Sequence, residues 1–587
     1  MSDQWNLELI YPSLSDWETD FKTAEKDILS YESLKGTFHT KEGLLQYAKI
    51  QRTCSERISK LYTYAMMAYD LNQKDMAAYQ NYQRIYSLYN AWMVQTSFIE
   101  PELISIGKET VFQLLDEEKE LSVLRYRMDQ LFRNQNHYLD AKSEGLMANY
   151  NEALGKFNQL YDQLAVADNT SSQISLSDGS VLEVNESNFQ YYLEQLSNQE
   201  DRKKVLEAIY LLYEKHKNTF AGIYSGILAS EMAVVKNRGY GSILESHLDR
   251  NAIPVEVVMS LIETAKTHAE PLKEYYALRK SFFHLEHLHT YDRFLKFATS
   301  QRKYSYQEAK EMVLDACRIL GDDYYQHAQK VLEDGRVSVY ASEGKRTGAY
   351  STSLYQEGAF ILLNHNDNLE SAFTIAHEAG HSIHSLYANE HQPLETADYE
   401  IFVAEIASTF NEQLFLDYRM SHSEDKTEKI VLLQQAIDNI VATFYRQTLF
   451  ADFEYQAHRL AEQNEPITAQ ALEAIMEQLY LDYYGIDLKT EPYKNNVWAY
   501  IPHFFHTPFY VYQYATSFAA SMAIYEKVKN QEKGALEQYL SMLSKGGSDY
   551  PVNLVLQGGV DLRKPEPFLA VVHRLQELLD ELKKLLQ

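Results

Sequence analysis

His377-Glu378-Ala379-Gly380-His381 sets two imidazoles and a carboxylate at a spacing with a specific chemical use. On an α-helix, residues four apart differ by about 40° in azimuth and about 6 Å in rise, so His377 and His381 can reach one metal ion. Glu378 stands beside them, where it can act on a water at the metal rather than on the metal itself. The preceding residues, Glu370-Ser-Ala-Phe-Thr-Ile-Ala376, contain no helix breaker. Gly380 costs about 1 kcal/mol of helix propensity relative to Ala. That loss makes sense if another segment must come close there.

A hydrolytic metal site needs a third protein ligand and one position left for water. The acids and histidines downstream are His384, His391, Glu395, Asp398, Glu400, Glu405 and Glu412. His384 lies about 10.5 Å of rise beyond His377 and reads as packing or as support for the ligands. A third ligand six residues after the second His is excluded, because that position is Tyr387. The expected ligand is therefore a carboxylate on the next helix. Glu405 sits in the apolar run Ile401-Phe-Val-Ala-Glu405-Ile-Ala, and a lone buried carboxylate is expensive unless it is paired or on a metal. Glu400 and Glu412 fit a solvated helix face equally well.

A second dense segment, Ile501-Pro-His503-Phe-Phe-His506-Thr-Pro-Phe-Tyr510-Val-Tyr512-Gln-Tyr514, offers hydroxyl and imidazole donors for an oxyanion. Aromatic packing explains the same composition.

These side chains need a scaffold, and the chain reads as mainly helical. It has 22 Gly and 12 Pro in 587 residues, few breakers for its length. Residues 16–165 carry apolar side chains at three- and four-residue spacing, as in Leu61, Tyr64, Ala65 and Ala68. Alternation around Asp178-Gly179 predicts a hairpin over 173–184. Two or three short strands are expected over 335–364, directly before the metal helix. Of these, Gly358-Ala-Phe-Ile-Leu-Leu363 is the expected edge for pairing with an extended peptide. Helix resumes from Glu370 to the end, where the amphipathic stretch 569–586 is expected to pack or dock. The domain reading is an N-terminal helical domain over 1–185, ending in the hairpin, and a catalytic domain over 186–587.

Charge narrows the partners. Lys and Arg total 55 against 83 Asp and Glu, a formal net charge of −28. Such a chain repels nucleic acid and anionic membranes and leaves room for neutral or cationic ligands. No apolar run of about 18 residues is present, so no membrane span is expected. Cys54 and Cys317 form neither a disulfide framework nor a metal knuckle. The first residues show no basic region followed by an apolar one. A cytoplasmic setting is expected, with no obligate protein partner.

The metal motif, with Ser382-Ile-His384-Ser after it, is joined by Phe402-Val-Ala-Glu405-Ile-Ala-Ser408, Gly344-Lys-Arg-Thr-Gly348, Phe509-Tyr-Val-Tyr-Gln-Tyr-Ala515, Gly546-Gly-Ser-Asp-Tyr-Pro551 and Trp5-Asn-Leu-Glu-Leu-Ile-Tyr-Pro12. With these pieces the chain resembles oligoendopeptidase F, within the larger thimet oligopeptidase family of zinc peptidases. The resemblance implies two helical halves around a deep channel, with a small sheet near the metal. It implies one zinc per chain on His377, His381 and Glu405, with Glu378 as general base, and oligopeptides cut at internal bonds. It also implies transition-state help from a His and two Tyr of the late segment. Tyr512 matches the last of these through its Phe-Tyr-x-Tyr pattern. Position 505 is Phe where the larger family would place Tyr, so His503, His506 and Tyr510 stand as the other contributors. The rival readings are a zinc exopeptidase, such as a carboxypeptidase, and a non-catalytic peptide-binding protein. The Gly-x-Met-Glu-Asn signature of one large aminopeptidase group is absent.

Overall fold

The computed structural model describes residues 3–587, and within them all side chains except those of Ala141, Ala148, Asn151 and Glu152. Helices dominate, with two small sheets. The chain forms two compact units, each assembled from three separate stretches. Met1–Asn136, Gln301–Ser421 and Ile524–Val560 make the first, and His137–Ser300, His422–Ala523 and Asp561–Gln587 make the second.

The helices used below are numbered in chain order: α1 Lys41–Leu71, α2 Gln199–Arg238, α3 Leu369–His391, α4 Ile401–His422, α5 Arg446–Glu462, α6 Ala469–Tyr484 and α7 Tyr512–Lys529. Scarce breakers account for their length. α2 runs for 40 residues, with a local kink at His216, and stops at Gly239 in the left-handed region (φ 76°). In the first unit, the buried face of α1 (Leu44, Tyr47, Ile58, Leu61 and Ala65) joins Trp17, Tyr31 and Phe38 in one core, to which the sheet adds Phe360 and Leu362. In the second unit the C-terminal helix Glu566–Leu586 buries Leu575, Leu578, Leu579 and Leu582 and packs on Lys426–Ile440. Among the described residues no helix is long and apolar enough to cross a membrane.

The hairpin forms as its alternation predicts. β1 (Ser172–Ser175) pairs antiparallel with β2 (Val181–Val184), Ser172 facing Val184, around Gly179 at φ 86°. The second sheet holds β3 (Val337–Tyr340), β4 (Tyr350–Leu354) and β5 (Gly358–His365) in the order β3-β5-β4. β5 is parallel to β3 and antiparallel to β4. This corrects the expected docking edge. The stretch Gly358–Leu363 is the centre of the sheet, with both sides taken, and its continuous apolar run is the pattern of a strand buried on both faces. The edge strand is β4.

Candidate metal centre

The site grows from one close approach. α3 is capped by Asn368, whose side chain accepts from the Ser371 N–H. It lays Ala372, Ile375, Ala376, Ala379 and Ile383 into the core and packs on β4 and β5. A Cβ at Gly380 would stand 2.4 Å from the Ala407 carbonyl oxygen and 2.7 Å from the Ser408 Cα. The glycine therefore lets α4 touch the backbone of α3, and α4 brings Glu405 opposite the two histidines.

The three donors form a compact triangle. His377 Nε2 and His381 Nε2 are 3.2 Å apart, and Glu405 Oε2 is 3.5 Å from the first and 3.6 Å from the second. Two bonds of about 2.05 Å at a tetrahedral angle span about 3.3 Å, so these edges fit a tetrahedral ion of zinc's size. Among the described residues, this is the group of His, Cys, Asp and Glu side chains that converges in this way.

Each donor is held from behind. His377 Nδ1 donates to Glu412 Oε1 at 2.6 Å, which leaves the Nε2 lone pair for a metal. The His381 ring donates to the Ala404 carbonyl, and Ser408 Oγ donates to Glu405 Oε2 at 2.8 Å. Glu412 was expected on a solvated face as readily as at the site. It lies seven residues, two turns, beyond Glu405 on one face of α4, and that spacing was its signal in the sequence. Replacing Glu412 by Ala is expected to weaken metal binding 10- to 100-fold, by the usual scale for such supports. Glu412→Gln, which still accepts, should lose less. Competition with a coloured chelator measures both.

Glu378 is not part of the triangle. It is 6% exposed, the Ser351 N–H donates to its carboxylate, and its Oε2 is buried with no hydrogen-bond partner among the described residues. Burial first, then the charges of Glu405 and Glu412, push it up to about 7 against the opposing pull of His377. Burial pushes His377 down, but its hydrogen bond to Glu412 and the charges of Glu412, Glu378 and Glu405 outweigh this and raise it to about 9. His381 falls to about 4, through burial and the neighbouring His377 charge. A dication among these groups would favour their deprotonated forms. All of them open on a cavity of about 710 Å³ in the first unit, walled by residues 349–357 of β4 and its following turn and by Asp398 and Tyr399.

The remaining downstream residues lie elsewhere. His384 is fully buried and stacks on Tyr399 at 3.7 Å, and burial lowers it to about 3. His391 bonds the Tyr387 carbonyl, Glu395 pairs with Arg52, and Glu400 is exposed.

The late segment belongs to the second unit up to Ala523. His503 stacks parallel to Tyr510 at 6.0 Å, and Tyr510 meets Tyr514 edge-on at 5.5 Å. His506 Nε2 pairs with Asp162 at 2.8 Å. Tyr512 is 4% exposed at the start of α7. Phe505 is buried and stacks on Tyr161 at 4.0 Å. The turn between them is fixed by Phe509, whose φ is 54° and whose N–H donates to the buried Glu454.

Comparison with known proteins gives a consistent answer. Residues 192–573 match peptidase family M3, and residues 102–170 match the Oligopeptidase F N-terminal region. Oligopeptidase PepF of Bacillus subtilis is 33% identical over 586 residues, covering 100% of this chain and 87% of that one. Group B oligopeptidase PepB of Streptococcus agalactiae is 31% identical over 584 residues, covering 99% and 97%. The crystal structure of oligoendopeptidase-F from Enterococcus faecium superposes with a TM-score of 0.73 at 27% identity, covering 97% of this chain and 99% of that one.

Proposed function

The chain belongs to peptidase family M3, a metallopeptidase family, and we propose that it is a zinc endopeptidase that cuts internal bonds of short oligopeptides. The observation that carries this reading is the triangle of His377, His381 and Glu405 beside the unpartnered oxygen of Glu378, in a cavity walled by a free strand edge. One zinc per chain would be held by the triangle. When bound, it supplies a Lewis acid that polarises the scissile carbonyl and lowers the pKa of the water beside it toward about 7.

The protein's own groups do the rest. Glu378, steadied by the Ser351 N–H, takes the proton of the attacking water and passes it to the leaving amine. Tyr512, Tyr510 and His503 are proposed to donate to the oxyanion, on the strength of the family resemblance. His506, already engaged by Asp162, stands behind them. The division between residues 1–185 and a catalytic 186–587 is kept as part of the proposal, since His377, Glu378, His381 and Glu405 all lie in the second part. A cytoplasmic setting is also proposed, supported by two buried free thiols, Cys54 and Cys317.

An extended peptide would pair with β4. Ser351 N–H is turned toward Glu378 rather than toward β5, so by the two-residue alternation of an antiparallel pair the Ser353 N–H also points outward. Proline is tolerated at such edge positions. Ser353→Pro is therefore expected to leave the fold intact and remove one bond to substrate. KM should rise about 10-fold with kcat little changed, the signature of lost uniform binding. Steady-state kinetics on one peptide checks it.

The function itself is tested with a peptide blocked at both ends. Internal cuts, found by mass spectrometry and abolished by a chelator, are expected. Cleavage only when a terminus is freed would make the protein an exopeptidase, and metal binding without cleavage would make it a peptide binder.

A further inference from the structure

The second unit gathers three cationic side chains with too few counterions. Arg293 lies in the turn Thr290–Phe294, Arg446 opens α5 directly after the π-helical turn Val441–Tyr445, and Lys494 starts the turn Lys494–Asn496. These elements pack against α2 and α6. Lys494 is 9% exposed, and its Nζ donates to the Tyr210 hydroxyl at 2.5 Å while lying 4.5 Å from that ring's centre. The Nε of Arg446 is buried and has no hydrogen-bond partner among the described residues. A buried cation without a partner is among the costliest arrangements a fold can hold, and proteins normally resolve it with a counterion.

The surrounding groups do not supply one. After burial, the charge that bears most on Arg446 is that of Arg293, and the groups opposing it are the phenols of Tyr484, Tyr480 and Tyr210. Burial and then the charges of Arg293 and Arg446 drive Lys494 far below an ordinary lysine. Glu491 is the acid that acts on Lys494, and its oxygens already accept from His289 Nδ1 and from the Thr290 N–H and hydroxyl. Phenol rings enclose the cluster: Tyr276 meets Tyr484 at 5.4 Å, Tyr484 meets Tyr480 at 5.2 Å, and Tyr210 meets Tyr500 at 5.5 Å. With Lys494 neutral, two guanidinium charges face the single charge of Glu491, and one negative charge is missing.

We propose that Arg293, Arg446 and Lys494 form a buried binding site for one small monovalent anion, a halide or a compact carboxylate, with the neighbouring tyrosine hydroxyls as further donors. The site is separate from the metal triangle, and the proposal does not depend on the peptidase chemistry. Guanidinium and ammonium N–H groups bond the anion directly, and the aromatic wall strengthens each contact by excluding water.

The test uses the full-length protein exchanged into gluconate, an anion too large for the cluster. Chloride, bromide or acetate is then titrated in at constant ionic strength and pH while thermal unfolding is followed. A saturable rise of the midpoint by several degrees is expected, because a ligand of the folded state stabilises it by mass action. Chloride against acetate distinguishes the halide from the carboxylate. Arg446→Met, close in length and uncharged, should abolish the titration. Bromide soaked into crystals of the unaltered protein should give an anomalous peak between Arg446 Nε and Lys494 Nζ. Identical midpoints in every anion, an undiminished titration in Arg446→Met, or no bromide peak at the cluster would each overturn the proposal.

Discussion

Glu378→Gln is expected to keep its metal and lose turnover. The substitution preserves size and the oxygen that can accept from the Ser351 N–H. It replaces the one group at the site that can carry a proton between water and leaving amine, since His377, His381 and Glu405 are directed at the ion. General acid–base catalysis contributes about 10²- to 10⁴-fold. One carboxylate here would serve both proton transfers, so kcat should fall by about 10³-fold or more. KM and bound metal should stay within about a factor of three, because the variant changes no ligand and leaves β4 in place. Metal analysis with single-turnover kinetics on one peptide decides the matter. A near-normal rate would remove Glu378 from the mechanism, and loss of metal together with rate would make it a ligand.

The parts of this site that the sequence shows are those whose chemistry conflicts with their surroundings. Two histidines one turn apart, and a glutamate inside Phe402-Val-Ala-Glu405-Ile-Ala, are costly unless a metal gathers them. Structure joins them through a contact that Gly380 permits. Features that depend on tertiary placement were harder to read. Glu412 is an ordinary polar residue on α4 until His377 is seen to face it. β4 reads Tyr-Ser-Thr-Ser-Leu, far less strand-like than β5, yet it is the strand with a free side. Hydrophobicity finds the strand that is most buried, whereas a substrate needs the one that is least paired. The Ser351 N–H that steadies Glu378 is a backbone group, and no residue type announces it.

Gly380→Ala separates a tolerated glycine from a required one. Helix propensity alone predicts a gain of about 1 kcal/mol and no change at the metal. The contact predicts otherwise. The added methyl would lie 2.4 Å from the Ala407 oxygen, 2.7 Å from the Ser408 Cα and 2.8 Å from the Ala407 carbonyl carbon. All three are backbone atoms, so no side-chain rotation relieves the overlap. α4 must shift by about 1 Å to restore an ordinary carbon–carbon separation. Overpacking of this kind costs about 1–3 kcal/mol, which the propensity gain partly offsets, so the protein should still fold. Metal binding has no such compensation. Glu405 rides on α4 one turn before Ser408, and the shift would open the 3.5 and 3.6 Å edges it makes with the histidines. Metal affinity should fall at least about 10-fold while unfolding without metal changes by less than about 2 kcal/mol. Gly222, in α2, is the control, because a methyl added there would meet nothing within 4 Å. Gly222→Ala should stabilise and leave the metal alone. If Gly380→Ala behaves like Gly222→Ala, the approach of α4 to α3 is not what sets Glu405 against the histidines. If it loses metal while remaining folded, the glycine is as much a part of the site as the residues on either side of it.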